Sequence, residues 1–307
     1  MARKRPSVFA RLRQDLADAS PFPKRRFAEV LGSRMAYVEE GSGPPVVFIH
    51  GGIGSSVLWR RQISLLAPYA RCIAVDLIGT GDSERLLPSS RDSYRLESHL
   101  AYLESFTTVL GIDQPMVLVL HGWGSMTGFA YAQQHSHRIR GLCHMESIIR
   151  PLEWEDLGPK PREMFERARG ADGERFVMDT DEYFDLAVRR ELLNPPGKVV
   201  TDEFRRTLGR PAEMRQALHT ALHTVPIAGS PTASFERVQS YARWLGASSV
   251  PKLLVLGQPG YWIVDRLAAE AMALPNTTTV QVSGGHLLPE DAPDGVALMI
   301  AQWVRSL

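Results

Sequence analysis

Residues 117–130 read VLVLHGWGSMTGFA. An apolar, β-branched run passes through His121 and Gly122 into Trp123, Gly124 and then a helical pattern. This strand–sharp turn–helix layout is that of a nucleophile elbow. Such a turn displays one residue above the carboxyl edge of a parallel sheet, where open α/β sheets place their ligands. The helix N-terminus behind it favours developing negative charge. An elbow ordinarily displays Ser, Cys or Asp. Here the displayed position falls on Gly122, which has no side chain.

Working outward, short β-branched or aromatic runs bounded by Gly or Pro predict strands over 35–39, 46–50, 71–75, 142–145, 252–256 and 278–282, besides the one at 116–121. Helical patterns lie between them over 57–66, 95–110, 126–134, 265–274 and 295–307; Leu96, Leu100, Leu103, Phe106 and Leu110 repeat at about 3.6 residues. Strands alternating with helices imply a mostly parallel sheet covered on both faces, an α/β fold. From 151 to 235 the rhythm breaks. Prolines punctuate short helical stretches carrying Trp154, Phe165, Phe176, Tyr183 and Phe204, and strand signals vanish. The expected organisation is a basic N-terminal extension over 1–26, a core over 27–150 and 236–307, and a helical cap over 151–235.

Composition narrows the function classes. The chain has 307 residues, 44% of them hydrophobic, and 35 basic residues against 34 acidic. Apolar content on that scale offsets chain entropy, and a near-zero net charge argues against a nucleic-acid partner. No apolar run is long enough for a membrane span. The N-terminus is basic but has no apolar core of a secretory signal. Cys72 and Cys143 both sit in apolar runs, which reads as buried thiols in a reducing, cytoplasmic setting.

Three further segments converge on the elbow. Residues 46–56, VVFIHGGIGSS, end a strand in a glycine-rich loop whose backbone N–H groups at Gly52 and Ile53 suit an oxyanion, together with that of Trp123. Residues 281–291, QVSGGHLLPED, place His286 just after a strand, where it reads as the site base. Glu146 ends the strand GLCHME, where a carboxylate can hold the imidazole's tautomer; Asp265 is a rival acid that more simply starts a helix. Ser125 and Ser147 lie close in sequence but point elsewhere. His219 and His223, four apart, have no third ligand at a suitable spacing, so neither metal nor cofactor is called for. Trp59, Trp123, Ile149, Trp154 and Tyr261 are the expected pocket lining.

Seven stretches together resemble the haloalkane dehalogenase family of the α/β-hydrolase fold, which also contains the coelenterazine-using luciferases. They are EVLGSRMAYVEEGSGPPVVFIHG, SSVLWR, DLIGTGDS, MESIIRP, VPIAG, VPKLLVLGQPG and GGHLLPED, and the likeness runs from about Val30 to Leu307. The resemblance implies a mechanism in which an aspartate of H-D-W-G displaces halide to give an ester, and a His–acid pair then hydrolyses it. It implies His286 as base, Glu146 as acid and Trp123 as a halide ligand. It also implies that the nucleophile falls on Gly122 and the second halide ligand, Asn in H-G-N, on Gly52. A single inactivating change would account for Gly122 but not for Gly52, so the pair reads as divergence.

The expected activity is therefore general-base chemistry by a His–Glu dyad, with no covalent intermediate, on a small and largely apolar molecule. Cyclisation, elimination, isomerisation, cofactor-free oxygenation and water-activated hydrolysis stay open. So do a non-catalytic binding protein and a hydrolase using another nucleophile. Substrate identity and oligomeric state are not legible.

Overall fold

The computed structural model describes residues 22–52, 54–90, 92–194, 196–209, 215–228 and 234–307. Most of the basic N-terminal stretch, and Ile53, lie outside the described residues.

Eight strands form one sheet: β1 (Arg25–Val30), β2 (Ser33–Glu40), β3 (Pro45–Ile49), β4 (Arg71–Val75), β5 (Met116–His121), β6 (Ile139–Met145), β7 (Lys252–Pro259) and β8 (Thr277–Gly284). Their order is β1-β2-β4-β3-β5-β6-β7-β8. The β1–β2 and β2–β4 pairs are antiparallel and the remaining pairs parallel. The central strands β3, β5 and β6 carry almost wholly buried side chains, as expected where helices cover both faces. β5, at the centre of the order, delivers the elbow to the middle of the carboxyl edge.

β1 starts at Arg25, inside the stretch read as an extension. Its sequence, RRFAEV, is half exposed at the sheet's antiparallel edge, so the run of basic residues conceals a strand.

Helices α1 (Arg60–Leu66), α2 (Leu96–Val109) and α3 (Gly124–Gln134) follow β3, β4 and β5. Between β6 and β7 the chain runs through α4 (Pro159–Arg169), a π-helical turn over Arg175–Asp179, α5 (Glu182–Glu191), α6 (Lys198–Leu208), α7 (Gln216–Thr224) and α8 (Phe235–Ala247). Leu152 and Ile227 form a parallel bridge that ties the start of this helical stretch to its end. α8 was not legible in the sequence. It buries Val238, Tyr241 and Leu245, and the Tyr241 hydroxyl donates to the Ile148 carbonyl at 2.6 Å. Helices α9 (Asp265–Met272), α10 (Leu288–Asp291) and α11 (Pro293–Ser306) complete the layers. No described helix is long and apolar enough to cross a membrane.

The elbow works because two backbones nearly touch. A Cβ at Gly124 would lie 2.1 Å from the His50 carbonyl oxygen at the end of β3, so only glycine lets α3 leave the sheet here. Gly124→Ala should therefore cost about 1–3 kcal/mol of stability by overpacking, read as a lower urea midpoint. An unchanged midpoint would mean that the two backbones can part freely.

Candidate active site

His286 follows β8 and is held from four sides. Its backbone N–H donates to the Glu191 carbonyl at 2.7 Å. Its own carbonyl accepts from His121 Nε2 at 2.9 Å. Its ring stacks obliquely on His121 and Trp262, with ring centroids 4.6 Å away in each case. Its Nδ1 lies 3.2 Å from Glu146 Oε2.

Glu146 sits just past β6 with φ of 46°, in the left-handed region that a non-glycine residue seldom occupies. Backbone donors hold it there: the Trp262 N–H reaches Oε2 at 2.6 Å and the Tyr261 N–H reaches Oε1 at 3.3 Å. With those donors on the carboxylate, Nδ1 is the protonated ring nitrogen and Nε2 keeps its lone pair. Burial pushes the Glu146 carboxyl up to about 7, against the pull of these N–H groups, and pushes His286 down to about 3. The imidazole is thus neutral at neutral pH.

Gly122 faces this lone pair. Its φ is 53°, and a Cβ built on it would lie 3.3 Å from His286 Nε2. Gly51 packs behind it, its Cα 3.4 Å from the same built Cβ. Any side chain at 122 would therefore leave the backbone directly toward His286. Gly52 lies on the opposing loop under α7, where its Cβ would meet Leu218 Cδ1 at 3.2 Å. Among the described residues, the backbone N–H groups of Gly52 and Trp123 find no acceptor. The Trp123 indole N–H donates to Thr224 Oγ1 of α7 at 3.3 Å.

Gly52, Trp123 and His286 line one cavity, closed above by Phe165, Tyr183 and Leu218 of the helical stretch. Its volume is about 20 Å³, room for roughly one water molecule.

Of the pocket lining expected from sequence, only Trp123 is found there. Trp59 is buried behind the site, packed on Phe48 and His121. Ile149, Trp154 and Tyr261 also lie off the cavity wall, and Trp262 takes the place given to its neighbour Tyr261. Ser125 Oγ donates to the Gly122 carbonyl at 2.7 Å and accepts the Ile148 N–H, and Ser147 Oγ pairs with His144 Nδ1 at 2.8 Å. Both hydroxyls are committed to structure. Asp265 opens α9 and makes no bond to His286. The apolar wall from α7, with Leu218, Ala221, Leu222 and Val225, was missed, although that spacing of three and four residues is a helical signal that could have found it. Glu191 was not legible: in AVRRELL it reads as a surface charge, yet it is buried on the cavity wall.

The alpha/beta hydrolase fold family matches residues 44–293. A haloalkane dehalogenase of Sphingobium indicum is 36% identical over 289 residues, covering 94% of this chain and 98% of that protein. The chain belongs to the haloalkane dehalogenase family. A second relative in that family, from Mycolicibacterium smegmatis, is 31% identical over 292 residues, covering 94% of this chain and 93% of its own. The crystal structure of the haloalkane dehalogenase DbeA from Bradyrhizobium elkani superposes with a TM-score of 0.86 at 33% identity, covering 92% of this chain and 98% of that one.

Burial of so many imidazoles makes stability depend on pH. His99, His121, His144 and His286 are each pushed down to about 3 by desolvation, and His50 is lowered too. Unfolding frees them to protonate near 6.5, so unfolding takes up protons below that pH and stability falls as pH falls. Glu146 and Glu191, raised to about 7 and about 8, act oppositely above 4.5, because the folded chain holds protons that the unfolded chain has lost. The histidines outnumber these two carboxyls. The urea midpoint should fall between pH 6.5 and pH 5 and fall more steeply below 4.5; a midpoint that is level from pH 7 to pH 4 would contradict the buried neutral histidines.

Proposed function

We propose that this member of the haloalkane dehalogenase family has lost the family's covalent nucleophile and uses His286, oriented by Glu146, as a general base acting directly on a bound molecule. One observation carries the reading: the position whose Cβ would lie 3.3 Å from His286 Nε2 is a glycine, Gly122. In this reading His286 is the base and Glu146 its acid, and the residue that faces the base has no side chain. Without a carboxylate there, no alkyl-enzyme ester can form at the elbow, and neither Ser125 nor Ser147 is free to substitute.

The remaining groups suit non-covalent chemistry. A neutral Nε2 can take a proton from an acidic C–H, O–H or water, and Glu146 beside Nδ1 then stabilises the imidazolium. The N–H groups of Trp123 and Gly52, which find no acceptor among the described residues, can receive developing negative charge on oxygen, and Ile53, outside the described residues, is a further candidate for that role. Elimination, isomerisation, cyclisation, oxygenation without a cofactor, and hydrolysis by activated water all use these parts. The apolar walls favour a small, largely apolar substrate.

The first test is mass spectrometry of products from haloalkanes, esters, lactones, epoxides and enolisable ketones, incubated in air with wild type and with His286→Ala. A product formed only by wild type is expected. Selective retention of one compound by both proteins, with no turnover, would instead make the chain a binding protein. The acid limb of the kcat/KM profile should have its midpoint well below 6.5, because the base is lost only as pH falls through the lowered pKa of His286. A second test restores the ancestral parts. Gly122→Asp with Gly52→Asn should release bromide from 1-bromobutane, with the tip of Leu218 yielding to the new Asn, while wild type releases none. Bromide release by wild type would end the proposal.

A further inference from the structure

One wall of the cavity carries polar groups that nothing described satisfies. Glu191 ends α5, is 5% exposed and lines the cavity with His286 and Tyr183. Its backbone carbonyl is occupied, accepting the N–H groups of His286 at 2.7 Å and Leu287 at 3.3 Å. Its carboxyl has no hydrogen-bond partner among the described residues. Neither has the Tyr183 hydroxyl, and the Tyr261 hydroxyl is buried without a partner. Both phenols lie within electrostatic range of Glu191. The neighbouring Arg190, which could have neutralised it, points outward and pairs with Glu163 at 2.7 and 3.1 Å.

A buried carboxyl without a partner forfeits its hydration for nothing in return. Backbone donors compensate Glu146 for that loss; Glu191 has none. Burial and the nearby Glu146 push Glu191 up to about 8, and both tyrosines are raised further, so all three groups carry protons at neutral pH. Protonated, they are O–H donors awaiting an acceptor.

We propose that Glu191, assisted by Tyr183, anchors the bound molecule by donating its carboxyl O–H to a carbonyl oxygen, so that the site selects apolar carbonyl compounds over hydrocarbons of the same shape. This rests on the reading of the cavity as the substrate site. It also deepens that reading, because a carbonyl makes its neighbouring C–H acidic, and that is a bond on which a neutral imidazole base can act.

Acetophenone and α-methylstyrene differ by C=O against C=CH2 and provide the test. Calorimetric Kd values would be taken for both compounds with wild type, Glu191→Gln, Glu191→Leu and His286→Ala. Wild type should favour the ketone, Glu191→Gln should keep that preference through its amide donor, and Glu191→Leu should reduce it about 5- to 10-fold, one neutral hydrogen bond's worth, while still binding the alkene. An unchanged preference in Glu191→Leu, no preference in wild type, or no binding of either compound would overturn the assignment; the last two results would leave Glu191 satisfied by water alone. His286→Ala should keep the wild-type preference. If no compound is turned over and the ketone preference still depends on Glu191, the general-base reading fails and the anchoring role stands.

Discussion

Everything in the site depends on a single pair, the buried contact between His286 Nδ1 and Glu146 Oε2. Neither residue is placed by its own strand alone. Glu146 bears a left-handed backbone conformation and is held by N–H groups from the loop after β7. His286 hangs from the Glu191 carbonyl and is braced by His121. Three consecutive strands at the middle and far side of the sheet, β5, β6 and β7, together with the turn after β8, must therefore be in register before the pair can form. That arrangement fixes which ring nitrogen is free and where it points, and it points at Gly122.

Two glycines border the site beside this pair. At Gly122, φ is positive and the space in front of it runs to His286 Nε2. At Gly52 the space a side chain would take is bordered by Leu218 of α7. The Trp123 indole N–H is likewise engaged by Thr224 of the same helix. One helix thus closes over the positions where the family resemblance puts the halide ligands. A cavity of about 20 Å³ is the result. An occupant larger than water requires α7 or its side chains to move, which makes that helix a physical determinant of what enters.

How much of this was legible depended on whether the signal was local. Strand–turn–helix at 116–134, the glycine loop after β3, Glu146 at a strand end and His286 after β8 are all short patterns with their own geometry, and each side chain lies where its pattern puts it. The α/β fold followed from the alternation. What escaped was set by tertiary packing. β1 is a half-exposed edge strand inside a basic run, so neither apolar alternation nor composition marks it. α8 has an amphipathic sequence interrupted by no cap or proline, and the return to core packing at Tyr241 is visible only through its bond to Ile148. Trp123 reaches the cavity but Trp59 does not, because an aromatic residue near a site in sequence can fill the core instead; Trp262, one residue from the expected Tyr261, lines the wall. Glu191 carried no signal at all, since a charged residue on a helix surface and one on a cavity wall look the same in a sequence.

If Gly122 leaves the elbow without a nucleophile, as proposed, no covalent bond to the protein forms there. The most direct test is the intact mass of His286→Ala after incubation with 1-bromobutane, followed by peptide mapping of residues 116–134. Without its base, a chain that had any nucleophile there would accumulate the alkylated form, because water could not be activated to release it. The account predicts unmodified protein; Cys72 and Cys143 are buried, and burial raises both thiols, to about 12 in the case of Cys72, so they stay silent. A butyl group mapped to the elbow peptide would contradict it.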